Sequence, residues 1–202
     1  MKNVYYINLD TRTDRKVQVE SELEALGWSY ERFNAIKNKN GRIGCSMSHL
    51  KILQMAKEKN LEYVVVVEDD IQFTKPNVFN TQISQFLTSE IAYDVLLLAG
   101  NLFNCPTKQI STNVYQVFKC WTTTGYIVKR HYYDTLIHNI KQGILQLCKN
   151  PAQHGRYAID AYWQVLQQQD SWYILRPRTV TQRPDFSDIE QRNINYNHLM
   201  ID

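Results

Sequence analysis

At 202 residues, with 44% hydrophobic residues and a formal charge of +3, the chain has the length and composition of one folded domain with a sizeable core. That balance excludes a strongly basic nucleic-acid binder, and no stretch approaches the roughly twenty apolar residues that span a bilayer, so membrane contact is limited to the periphery. The four cysteines, Cys45, Cys105, Cys120 and Cys148, form no C-x-x-C pair and no Cys/His metal pattern. With an N-terminus that turns polar by Asn8, they predict reduced thiols and a cytoplasmic protein without a signal peptide.

In chain order, Val4 to Leu9 reads as a buried strand, and Val19, Leu23 and Leu26 recur at helical spacing before Gly27, a C-terminal cap. A strand over Tyr30 to Phe33 leads into the turn-rich Lys37 to Arg42, after which Ser46 is expected to cap a helix carrying Leu50, Leu53 and Ala56 on one side. The strand Tyr63 to Val67 follows. Pro76 breaks the chain before an amphipathic segment with Phe79, Ile83 and Phe86, and Val95 to Leu98 reads as another interior strand. Val114 to Phe118 and Tyr126 to Val128 look like strands, and Tyr132 to Leu147 and Ala158 to Leu166 like helices. Strands alternating with helices predict an α/β fold with a mixed sheet, more antiparallel in its second half, in a single domain over residues 1–202.

Chemistry concentrates where the four valines Val64 to Val67 give way to Glu68-Asp69-Asp70. Acids packed at the end of a buried strand repel one another and resist desolvation, and a divalent cation offsets both costs. Oxygen-rich ligation suits Mn²⁺ or Mg²⁺ better than zinc. Just past the first strand, Asn8 and Leu9 with Arg12 and Arg15 place backbone donors and guanidinium forks where a nucleotide can be held. The segment Gly41 to Leu50 runs from a glycine loop into a helix N-terminus suited to an anion, although it is neither a G-x-G-x-x-G nor a P-loop motif. His49 within it reads as a structural histidine.

Together these blocks resemble glycosyltransferase family 25, which includes bacterial lipooligosaccharide galactosyltransferases and procollagen galactosyltransferase domains. The resembling residues are Ile7-Asn8-Leu9-Asp10 with Arg12 and Arg15, then Gly44 to Leu50, Val67 to Asp70, Thr124 to Val128, Asp160, and Pro177 to Gln182 with Ser187-Asp188-Ile189. They follow the family's order over almost the whole chain. The resemblance implies a GT-A-like fold with a Rossmann-like nucleotide-binding half and a variable acceptor half. It also implies a UDP-sugar donor held by Mn²⁺ or Mg²⁺, and a glycan or hydroxylated protein as acceptor.

By the same resemblance Asp70 is the metal ligand, and Glu68 and Asp69 contact the ribose or order metal-bound water. Donor contacts are expected at Asn8, Leu9, Arg12, Arg15 and Ser48, and at Gln182 and Ser187 in a closing C-terminal segment. A general base is needed if the anomeric configuration inverts. Asp160 is the first candidate, since Ile159, Trp163 and Leu166 turn the other side of its helix into the core, and Asp188 is the second. His198 is a further candidate metal ligand. Trp121, beside Thr122 to Thr124, is the expected sugar platform, whereas Trp163 reads as core. Two other readings compete: an acidic strand end also serves a two-metal phosphohydrolase or nuclease, and the fold also serves a non-catalytic nucleotide-sugar or carbohydrate-binding module.

Overall fold

A computed structural model describes residues 1–202. The first half runs β1 (Val4–Asn8), α1 (Thr13–Ala25), β2 (Tyr30–Asn34), α2 (Gly41–Glu58), β3 (Tyr63–Glu68), β4 (Ile71–Phe73) and α3 (Pro76–Thr88). The second runs β5 (Val95–Leu97), β6 (Thr107–Ser111), β7 (Val114–Val117), β8 (Gly125–Lys129), α4 (Tyr133–Lys149), β9 (Trp172–Leu175), β10 (Val180–Gln182), β11 (Asp185–Ser187) and β12 (Arg192–Ile194). Eight strands form one sheet in the order β2-β1-β3-β8-β5-β9-β7-β6. β1 is parallel to β2 and β3, and β5 to β9, while β8, β7 and β6 enter antiparallel. The result is the expected α/β fold with a mixed sheet.

The valines of β3 explain why helices cover both faces. Successive side chains on a strand point to opposite sides, so Val65 and Val67 enter one core with Val19 and Leu23 of α1 and Phe79 and Ile83 of α3. Val64 and Val66 enter the other, with Ile52 and Leu53 of α2 and Leu136 and Ile140 of α4. A strand buried on both faces reads as an unbroken apolar run, and all four valines are fully buried.

Three local expectations need correction. The helix expected to be capped by Ser46 is capped six residues earlier: Asn40 caps α2 by accepting from the Arg42 N–H, and Ser46, inside the helix, donates its hydroxyl to the Arg42 carbonyl. Pro76 opens α3 from its first turn, where a missing N–H costs nothing. Ala158 to Leu166 is not one helix but two single turns, Ile159–Tyr162 and Gln164–Gln167. The short strands β4, β10, β11 and β12 carry too few residues for a periodicity to show. β4 pairs antiparallel with β10, and β11 with β12, outside the main sheet.

The first turns of α2 pass very close to the segment after β2. A Cβ on Gly44 would lie 2.5 Å from the Ile36 carbonyl oxygen, and Ser48 one turn later accepts from the Ile36 N–H at 2.9 Å while donating to the Gly44 carbonyl at 2.8 Å. Glycine at 44 is thus set by backbone proximity. Gly44→Ala should destabilise the chain by about 1–3 kcal/mol, the usual cost of overpacking. Urea unfolding would check this, and a variant as stable as the parent would mean that the close approach is not needed.

Candidate active site

Strand register gathers the site. Ile7 lies opposite Glu68, so β1 and β3 end together, and Val67 lies opposite Gly125, so β8 begins there. The Glu68 N–H donates to the Thr124 carbonyl at 2.9 Å. The carboxyl end of adjacent parallel strands is where open α/β sheets bind ligands. Here it opens into a cavity of ≈ 320 Å³, bordered among others by Glu68, Trp121, Asp160, Gln182 and Ser187.

The three acids that follow the valines have separate fates, because Glu68 ends β3 while Asp69 and Asp70 lie in the turn beyond it. Glu68 faces α2, and its Oε1 accepts from the Thr123 hydroxyl at 2.8 Å, His49 Nε2 at 3.2 Å and the Cys45 thiol at 3.6 Å. Burial pushes its carboxyl up, but these donors, His49 foremost, outweigh burial and leave it below the ordinary range. Asp69 faces α1, accepting from Asn8 Nδ2 at 2.7 Å and Arg15 Nη1 at 3.2 Å. Burial prevails there and raises its pKa.

Asp70 is the least satisfied of the three. Its Oδ2 accepts from Gln182 Nε2 at 3.3 Å and lies 3.6 Å from Arg15 Nη1, while its Oδ1 is buried without a hydrogen-bond partner. Burial, then Glu68, drives its pKa to about 8. A buried carboxylate oxygen with no partner is costly, and a hard cation is a fitting occupant. Asp70 thus offers one free carboxylate oxygen that a hard cation such as Mn²⁺ or Mg²⁺ could take. Glu68 turns to α2 and Asp69 to α1, and neither Asp69 nor Asp70 joins a converging set of three ligand atoms, so the three acids do not gather into a two-metal cage.

The remaining expected site residues divide sharply. Asp160 reaches the cavity, its Oδ2 accepting from the Thr122 N–H at 3.2 Å, and burial with nearby Glu68 raises its pKa. Thr122 holds φ at 82°, an outlying conformation for a β-branched residue, and so aims that N–H at the carboxylate. Gln182, Ser187 and Trp121 border the cavity. Trp163 is core.

Arg12 and Arg15, expected to hold a nucleotide, are instead engaged by the protein. Arg15, on the first turn of α1, reaches Asp69, Asp185 and the Phe186 carbonyl. Arg12 pairs with Asp14, Asp185 and Asp188. Asp188, the second candidate base, thus faces Arg12 on the β11–β12 hairpin and does not line the cavity. Leu9 contributes its carbonyl to the Arg12 N–H, and Asn8 is buried between Asp69 and Arg32, whose Nε it accepts at 3.0 Å. Ser48 is a fully buried clamp between Ile36 and Gly44. His198 is exposed on the last turn and does not line the cavity. For Asn8, Arg12, Arg15, Ser48 and Asp188 the reason is common: their polar side-chain atoms are engaged by other groups of the protein.

Sequence reasoning missed Cys45 and His49 as members of the site. Their spacing of four residues was the available signal, since it places both on one face of α2.

The family model of glycosyltransferase family 25 (LPS biosynthesis protein) matches residues 39–160, a span that contains Cys45, Glu68, Asp70, Thr122 and Asp160. A glycosyltransferase 25 family member from Anopheles gambiae is 28% identical over 101 residues, covering 36% of this chain and 17% of the relative. One from Drosophila pseudoobscura pseudoobscura is 26% identical over 101 residues, covering 36% and 16%. The chain spans about a sixth of the length of these curated relatives. Among solved structures, mannose-1-phosphate geranyltransferase from Thermus thermophilus is similar with a TM-score of 0.51 at 8% identity, covering 86% of this chain and 73% of that one, a likeness of fold. A glycosyltransferase involved in the glycosylation of the major capsid of PBCV-1 has a TM-score of 0.44 at 13% identity, covering 87% and 92%.

Asp70 gives the fold a pH dependence of definite sign. Between its ordinary range near 4 and about 8, the folded chain retains a proton that the unfolded chain has lost, so stability falls as pH rises and levels off above about 8. Within that window each pH unit removes at most about 1.4 kcal/mol, or about 2–4 °C of Tm per kcal/mol in a chain of this size. Asp70→Asn should flatten the slope in thermal melts at pH 5 to 8.5 without added metal. An unchanged slope would assign the retained proton to another group.

Proposed function

This chain belongs to glycosyltransferase family 25, and we propose that it transfers a hexose, galactose or glucose, from a UDP-sugar to a hydroxyl of a glycan or hydroxylated protein. The observation that carries the reading is the convergence of Asp160 and Glu68 on one cavity; Asp70 lies behind its wall, bonded to the lining residue Gln182 and holding an unpartnered oxygen. Asp70 would hold Mn²⁺ or Mg²⁺, which supplies neutralisation of the diphosphate as it departs. Glu68, its Oε1 tied by three donors, is a pre-oriented carboxylate for the ribose or sugar hydroxyls of the donor.

Asp160 is the general base of this proposal. Its raised pKa brings it toward the operating range, where a base both accepts a proton readily and is ionised. The Thr122 N–H fixes its Oδ2. As the acceptor oxygen bonds to the anomeric carbon and the bond from that carbon to the phosphate breaks, the hydroxyl proton passes to Asp160 and UDP leaves. Trp121 offers an apolar face to a sugar ring, and the β11–β12 hairpin, contributing Ser187 and Ile194 to the wall, shields the site from water. In this reading Arg12 and Arg15 serve the donor indirectly, by holding that hairpin in place.

Two substitutions test the roles. Asp70→Asn should weaken Mn²⁺-dependent UDP binding by about 10-fold or more in calorimetric titration, with EDTA abolishing binding to the parent chain. Equal affinity in the variant would remove Asp70 from the metal. Asp160→Asn should keep UDP affinity within about 3-fold of the parent yet lower sugar transfer by about 100-fold or more. Near-normal turnover would move the base elsewhere.

A further inference from the structure

Three side chains of different chemistry meet at one point beside the cavity: the Cys45 thiol, His49 Nε2 and Glu68 Oε1 all lie within 4.8 Å of one another. No other set of three Cys, His, Asp or Glu ligand atoms converges in this way anywhere in the chain. Cys45 and His49 are one turn apart on α2, and Glu68 ends β3, so two regular elements hold the set. We propose that Cys45, His49 and Glu68 form a three-ligand site for a thiolate-preferring divalent ion of the zinc class, distinct from the position at Asp70, and that its occupancy competes with use of Glu68 by the donor. The competition rests on the transferase reading given above; the site itself does not.

The separations fit the ion. Bonds of about 2.0 Å to nitrogen or oxygen and about 2.3 Å to sulfur, at tetrahedral angles, put N and O roughly 3.3 Å apart and S and O roughly 3.5 Å apart. The observed distances from Glu68 Oε1 are 3.2 Å to His49 Nε2 and 3.6 Å to the Cys45 sulfur. Ligand chemistry points the same way, because a thiolate and an imidazole select zinc over Mg²⁺ or Mn²⁺. A thiolate, a carboxylate and a neutral imidazole also balance the ion's two charges.

Outside the set, the Tyr126 hydroxyl lies 2.9 Å from His49 Nδ1, and the two rings stack, which fixes the imidazole's orientation as an outer partner of a metal-bound histidine does. Binding would release the thiol proton to solvent. It would also move the ring proton from Nε2 to Nδ1, from which it is donated to the Tyr126 oxygen, and leave the Nε2 lone pair to the metal. Cys45 and Glu68 both border the cavity, so a fourth position is open to water or a small ligand.

Cobalt(II) titration of the full chain tests the site through the thiolate-to-cobalt charge-transfer absorption. One equivalent of Co²⁺ should give a saturable band that persists in Cys105→Ser and Cys148→Ser, disappears in Cys45→Ser, and is bleached by one equivalent of Zn²⁺. Absence of the band, or its survival in a folded Cys45→Ser, overturns the site. If Cys45→Ser does not fold, His49→Gln serves instead: it should weaken Co²⁺ binding by about 10-fold or more, the scale for a lost metal-site partner, and unchanged affinity overturns the assignment. Titration of UDP with Mg²⁺, with and without one equivalent of Zn²⁺, tests the competition. UDP affinity about 10-fold weaker with Zn²⁺ supports it, and equal affinity overturns it. A chain that binds no UDP under any condition but shows the cobalt band would sink the donor reading and leave the metal site standing.

Discussion

The guanidinium of Arg15 is the contact on which the rest of the site depends. It is buried at the start of α1, within 3.2 Å of Asp69 and of Asp185, 3.6 Å from Asp70, and donates at 2.8 Å to the Phe186 carbonyl. One cation thus ties together an N-terminal helix, the turn after β3 and the C-terminal hairpin. Removing a partner from a buried ion pair leaves an uncompensated charge, a far larger cost than losing an exposed one. Without Arg15, Asp69 and Asp70 would lose their one cationic neighbour, and Asp185 would keep only Arg12.

Its saturation also divides the carboxylates by task. Asp69 and Asp185 are held and give the hairpin its anchor, while Asp70 is reached only at long range and keeps a buried oxygen unpartnered. Glu68 is secured from the opposite side of β3 by α2 and the Thr123 hydroxyl. Consecutive acids differ in chemistry because Glu68 ends the strand while Asp69 and Asp70 lie in the turn after it and so meet different neighbours. The C-terminal hairpin is fastened at a second point by Arg42 to Glu190, at 2.6 Å, on the α2 side of the cavity.

Much of the fold was legible. Four consecutive valines announced a strand buried on both faces, the spacing of Val19, Leu23 and Leu26 announced α1, and Gly27 at φ 68° ends it as its left-handed preference requires. The helix start at Ser46 was misplaced because Asn40 and Ser46 have equal capping chemistry, and only the close pass of Gly44 by Ile36 decides between them. In the site, Glu68, Asp70, Asp160, Gln182 and Ser187 were readable as candidates. The structural engagement of Arg12, Arg15 and Ser48 was not, because an arginine or serine looks the same in sequence whether its donors face a ligand or a neighbouring carbonyl.

By itself the sequence determined the local propensities: which segments are strands and helices, which apolar faces must be covered, and that acids crowd the end of β3. Those follow from interactions between residues a few positions apart, which periodicity and turn chemistry record. Only the tertiary structure decided which polar atoms remain free. Asp69 is separated from Arg15 by 54 residues and from Asp185 by 116, and Cys45 and His49 from Glu68 by about twenty, yet a few ångströms decide whether each is anchored or available. Hydrogen bonding is short-ranged and directional, so the identity of a partner across the sheet, which no local pattern encodes, sets the chemistry of the site.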